Sequence, residues 1–380
     1  MRSLRTFRAL GAAGLIMSAA VLTTGAVAGA SPNWFHHHDT HALFVETDQT
    51  KNTIISYVRG ADGTVSYAGT YLTGGAGATA AGATADPLAS QGGLALVDNG
   101  RELVAVNPGS DTVSVFDVDG AHLRLVQQVA SLGAFPVSVS SHGDLVAVLN
   151  SGGAGSVVEY RLHDGRLVAL NGEWRSLGLS NTTPPEFHHG AGQVGYSPNG
   201  QFLVVTTKLS SDAYDVFTLS GFGALSASPT VTTSNTVLPF SFNFDAQGRL
   251  VGVEAATSTL SVYTINANGS LTSTGSVSDG GAALCWVSSA NGYFFGSNAG
   301  SATVSSFSET TGVPSLVNAT AASTHPGTTD SAVSPDGNFL YVESGGSGAL
   351  DVFAIGSVGA LTPVETVWNL PVGFEGIAVS

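Results

Sequence analysis

Ser334-Pro335-Asp336-Gly337-Asn338-Phe339-Leu340-Tyr341-Val342, followed by Ala349-Leu350-Asp351-Val352-Phe353, holds the pattern that decides the fold. Asp336-Gly337 is a tight-turn pair, because glycine accepts the positive φ that short hairpins require. Phe339 to Val342 is an apolar strand, and the phrase ending in Phe353 is a β-branched, alternating strand closed by an aromatic residue. Six more phrases of that kind precede it: Thr53 to Tyr57, Thr112 to Phe116, Ser156 to Tyr160, Ala213 to Phe217, Thr259 to Tyr263 and Thr303 to Phe307. Successive closing aromatics lie 59, 44, 57, 46, 44 and 46 residues apart. Recurrence at this period marks an array of supersecondary units that bury their faces against one another.

Each unit has the same order. An inner strand leads to a glycine turn, as at Asp98-Asn99-Gly100, Pro198-Asn199-Gly200 and Ala290-Asn291-Gly292. A second strand follows, such as Leu103-Val104-Ala105-Val106, then the aromatic-closed third strand, a second turn such as Asp119-Gly120 or Asn268-Gly269, and an alternating outer strand. The inner strands are almost uniformly apolar, as strands covered on both faces must be, and the outer ones alternate as edge strands do. The chain enters its first unit at a second strand, His41-Ala42-Leu43-Phe44-Val45, and ends on Phe374-Glu375-Gly376-Ile377-Ala378-Val379-Ser380, an inner-strand pattern. The expected fold is all-β: a seven-bladed propeller of four-stranded antiparallel blades, closed by the C-terminal strand, over residues 41–380. The two long spacings place insertions at residues 73–90 and 178–191, each joining an outer strand to the next inner strand and so overhanging one mouth of the central channel.

The first thirty residues stand apart. Arg2, Arg5 and Arg8 precede an uncharged stretch ending in small residues, the layout of a secretory signal peptide. Residues 31–40 form an expected flexible leader carrying His36, His37 and His38, and no later apolar run reaches spanning length. The mature protein is thus expected to be secreted, without a membrane span, and monomeric. Removing three arginines and no acid shifts the formal charge from −15 to 9 − 27 = −18, which excludes nucleic acid as a partner. Cys285 is the only cysteine, so no intramolecular disulfide forms; it is expected to be a small buried hydrophobe. Metal binding by the His36–His41 tract is not expected, because a leader fixes no tetrahedral ligand set.

The phrases Gln193-Val194-Gly195-Tyr196-Ser197-Pro198-Asn199-Gly200, Ser334 to Val342 and Asn107-Pro108-Gly109-Ser110-Asp111-Thr112-Val113-Ser114-Val115-Phe116 resemble those of the lactonase-type seven-bladed propellers, with 6-phosphogluconolactonases and carboxymuconate cyclases among them. The likeness, strongest to exported actinobacterial members, spans residues 41–380 and implies the fold, with hydrolysis or cyclisation of a lactone as the implied chemistry. Catalytic members start an inner strand with His eight residues before the turn glycine and supply Arg around the channel. Here that position is Gly192, and no inner strand carries an Arg.

Candidate chemistry lies at the mouth overhung by the insertions. Lys208, Glu254 and Glu343 end second strands, and His188 lies on the second insertion; together they could polarise a lactone carbonyl and activate water. Gln193, Asp330 and Glu375 near the starts of inner strands, with His189, are the candidate ligand-binding groups. A rim rich in acids and poor in lysine suits a neutral or cationic ligand, or one held through a cation such as Ca²⁺, with no other cofactor expected. The missing His and Arg favour a secreted propeller that binds a small molecule or glycan, with a lactonase-like hydrolase or cyclase as the alternative.

Overall fold

The computed structural model describes residues 41–221 and 223–380; the signal-peptide and leader expectations, including the His36–His38 tract, lie outside them. Seven four-stranded antiparallel sheets stand around a central channel. Numbering blades by their second strands, the inner strands of blades 1 to 7 are Ile377–Val379, Leu94–Val97, Pro136–His142, Val194–Tyr196, Pro239–Phe244, Leu284–Ala290 and Thr328–Val333. Blade 1 is completed by the chain's last strand: Leu43, Phe44 and Val45 pair with Val379, Ala378 and Ile377. No described helix is long and apolar enough to cross a membrane.

The repeated aromatic explains the stacking. Tyr57, Phe116, Tyr160, Phe217, Tyr263, Phe307 and Phe353 are all buried, each paired across the ladder with an apolar second-strand residue such as Leu43, Leu103 or Leu340. Burying one such ring contributes roughly 1.5–3 kcal/mol, so seven copies supply much of the cohesion between blades. In six blades the outer strand carries a bulge opposite this aromatic. A bulge adds local twist, and the alternating outer-strand sequences gave no sign of it.

One expectation changes. The most completely buried strands are the second ones, among them Ala42–Glu46, Glu102–Asn107 and Leu145–Asn150. The inner strands of blades 3, 5, 6 and 7 are buried where they start and more open where they end, as in Pro136–His142 and Leu284–Ala290. A second strand has neighbours on all sides, whereas an inner strand has one lateral partner and turns its far half toward the widening channel.

Candidate functional site

The first insertion does more than overhang the mouth. Its end, residues 86–92, lies across the channel and bonds to five other blades. Leu88 N–H donates to Glu375 (2.9 Å), Ser90 Oγ to the Val137 carbonyl (2.8 Å), Gln91 N–H to the Gly192 carbonyl (3.1 Å) and Gly92 N–H to Asp330 (3.0 Å). The Gln91 side chain exchanges two hydrogen bonds with the Val287 backbone, and Trp286 Nε1–H donates to the Ser90 carbonyl at 2.6 Å. The second insertion pairs with the first: Ala81 N–H donates to the Pro185 carbonyl and Phe187 N–H to that of Ala81. Lys208 ties both down, its ammonium donating to the carbonyls of Ala89 and Phe187 at 2.7 Å each and lying over the rings of Phe187 and Phe240.

Beside this plug, on the side of blades 4 to 7, opens a cavity of about 750 Å³. Phe187, Leu209, Leu238, Phe240, Cys285 and Trp286 give it an apolar wall, and Ala255, Ala283, Ala299, Gly300 and Gly327 leave the room. Local backbone irregularity builds that wall. Inner strands of blades 5, 6 and 7 each gain one residue near their start, between Pro239 and Ser241, between Leu284 and Trp286, and between Thr328 and Ser331. The residues so released from the ladder include Phe240, Cys285 and Thr329, and all three line the cavity; bulges re-aim side chains in this way.

Of the residues expected at the mouth, His188 lines the cavity, half-exposed, and Gln193 lies beyond it, its side-chain oxygen accepting Phe242 N–H at 2.7 Å. His189 lies outside against Glu186. The placement of Lys208, Glu254 and Glu343 on an open rim is corrected: they are 1%, 0% and 0% exposed, because Glu254 and Glu343 lie at the ends of second strands, one strand away from the axis, and Lys208 opens a 3₁₀ turn just past another. Glu254 turns into its own blade, accepting from Ser261 (2.7 Å) and Tyr263 (2.8 Å); burial raises its pKa to about 7 against those bonds. Glu343 accepts Gly376 N–H at 3.0 Å, and burial drives its pKa well up. Asp330 and Glu375 reach the axis but are taken up by the plug. Burial raises Asp330 to about 7 and lowers Lys208 to about 8 despite the nearby acids Asp86 and Glu375.

The acid that reaches the cavity, Asp86, was not among the expected residues. It sits in a Gly-, Ala- and Thr-rich insertion, and its one sequence signal is that it is the sole carboxylate between Asp62 and Asp98. Its Oδ1 accepts Ala89 N–H at 2.5 Å while Oδ2 has no hydrogen-bond donor. Gly192, where the family resemblance implied a His, packs so tightly that a Cβ there would collide with the Phe240 carbonyl. No described group of three or more His, Cys, Asp or Glu side chains is arranged to hold a metal ion.

Seven four-stranded blades closed by the last strand define a seven-bladed β-propeller, here with a plugged channel and an apolar cavity at one mouth. The sequence matches the family described as lactonase, 7-bladed beta-propeller, over residues 34–173 and 157–288, and the chain belongs to that family. Among solved structures it is similar to the Pseudomonas aeruginosa periplasmic gluconolactonase PpgL, with 20% identity, 89% of this chain and 98% of that one covered, and a TM-score of 0.67. A Lactobacillus plantarum protein shares 19% identity over 90% and 99% of the chains at a TM-score of 0.69. A Bacteroides fragilis protein provisionally called a 6-phosphogluconolactonase shares 17% over 91% and 99%, at 0.65. At these identities the likeness is one of fold. No curated protein matches the sequence.

Proposed function

We propose that this is an exported, monomeric lactonase-family propeller that binds a small, mainly apolar molecule in the mouth cavity and does not turn over phosphorylated sugar lactones. The observation that carries the reading is the cavity wall: three bulged inner strands aim Phe240, Cys285 and Thr329 into one pocket beside Trp286 and Phe187. Apolar, concave sites with few polar groups are the usual form of small-molecule pockets. Lys208 is consumed by two carbonyls, so no free cation waits for a phosphate. Export rests on the arginine-led apolar stretch at residues 1–30, and the fold likeness to a periplasmic gluconolactonase agrees with it. Glycans fit less well than apolar ligands, because most of the wall is built from Ala, Gly, Leu, Phe and Trp.

Family membership keeps lactone hydrolysis as the second reading, with Asp86 and His188 as the groups able to move a proton. Calcium at the rim loses its support with the burial of Glu254 and Glu343. Titration with 2-naphthylmethanol, followed by Trp286 fluorescence, should show saturable one-to-one binding that Ala299→Trp abolishes by filling the cavity; no binding, or binding untouched by that variant, overturns the reading. A pH-stat assay on unphosphorylated lactones, wild type against Asp86→Asn, separates the second reading: turnover lost in the variant would establish it.

A further inference from the structure

Beneath the mouth loops Glu46, Asp48, Asp86, Asp330, Glu343 and Glu375 are each at most 5% exposed, and the single buried cation among them is Lys208. Glu46 Oε2, both oxygens of Asp48, Asp86 Oδ2, Glu343 Oε1 and Glu375 Oε1 are buried without a donor. Enclosed carboxylates demand positive charge, since desolvation penalises each one left unpaired. Burial, and then the neighbouring charge of Asp86, hold the Glu375 carboxyl well above the usual carboxylate range, so a proton meets part of that demand in the ligand-free molecule. Asp86 is the member of this set that also lines the aromatic cavity.

We propose that the cavity selects ligands carrying one ammonium group on an apolar body, the ammonium pairing with Asp86 Oδ2 and the body lying against Phe187, Phe240 and Trp286. The inference rests on the cavity being a ligand site and adds the charge class of the ligand. Aromatic faces favour a cation in a desolvated pocket, as they already do for Lys208. An inorganic ion fits less well, because no described set of side chains converges on a common point. The arriving cation lowers the cost of ionising its neighbour, so Glu375 releases its proton to solvent as the ammonium binds. Charged and titratable neighbours of Asp86 are Glu375 from the start of blade 1's inner strand, Lys208 from blade 4, Cys285 from blade 6, Asp330 and Glu343 from blade 7, and Asp48 from blade 1; His188 faces the same cavity.

The test compares 2-naphthylmethylammonium with the uncharged 2-naphthylmethanol by titration calorimetry of the full mature chain, in phosphate and in Tris buffer so that the heats report released protons. The amine should bind at least about tenfold more tightly than the alcohol, release a proton, and weaken on acidification by up to about tenfold per pH unit where one proton is exchanged. Asp86→Asn should bring the amine-to-alcohol ratio to about one. If that variant fails to fold, Glu375→Gln, outside the cavity wall, should keep amine preference while losing proton release and the pH slope. Equal affinities, or amine preference that Asp86→Asn leaves intact, overturn the inference and leave the cavity reading standing. Displacement of the amine by equimolar CaCl₂ also overturns it, in favour of an inorganic cation site. If neither probe binds, both readings fall.

Discussion

The two faces of the ring handle charge in opposite ways. At the face of the glycine turns arginines meet acids, in solvent for Arg101 with Asp98 at 2.6 Å, Arg124 with Asp117 and Arg161 with Asp144, and largely buried for Arg249 with Asp245 and Glu309. At the mouth face, acids are buried beneath loops with Lys208 as their one buried counter-charge. A paired surface charge changes stability little, whereas a buried unpaired one is costly. The face that spends stability in this way is the one with the cavity, and functional sites are where such local conflict is expected.

Removing residues 371–380 should have the largest effect, because it deletes the inner strand of blade 1, buried Phe374 and the Glu375 contact to the plug. Phe374→Ala alone should cost about 3–5 kcal/mol, read as a lowered denaturant midpoint. A truncated chain as stable as the parent would end the claim that the mouth face is the costly one.

Next is Lys208→Met, which leaves two buried carbonyls without their donor and Asp86 without its counter-charge. A loss of about 1–3 kcal/mol is expected, with faster amide exchange at residues 79–92 and 181–189. Unchanged exchange there would show that the two insertions hold each other without the lysine.

The pH dependence sharpens the comparison further. Folded pKa values of Glu254 and Asp330 stand at about 7, with burial as the main cause, against about 4 in an unfolded chain. Between those values the native state binds more protons than the unfolded one, so stability falls as pH rises. Chemical denaturation at pH 5 and pH 8 should therefore give the higher midpoint at pH 5. A rise toward pH 8 would mean that the mouth acids are ionised and paired. The smallest effect belongs to the turn face: Arg101→Ala, losing an exposed pair, should leave the denaturant midpoint unchanged.

Much of this was legible in the primary structure. Aromatic-closed phrases fixed blade number, Phe374 to Ser380 identified the closing strand, and the two long spacings marked the insertions at the mouth. Those features are local or periodic, and a repeat transmits them without reference to the rest of the chain. The positions of Lys208, Glu254 and Glu343 were misjudged because strand-end sequence does not say which neighbour a side chain meets. Tertiary structure alone decided that Asp86 enters the cavity and that Phe240, Cys285 and Thr329 turn into it. Both outcomes depend on a one-residue excess in one strand over its partner and on hydrogen bonds from residues 86–92 to blades as much as 287 residues away, and such pairings exist only once the ring has closed.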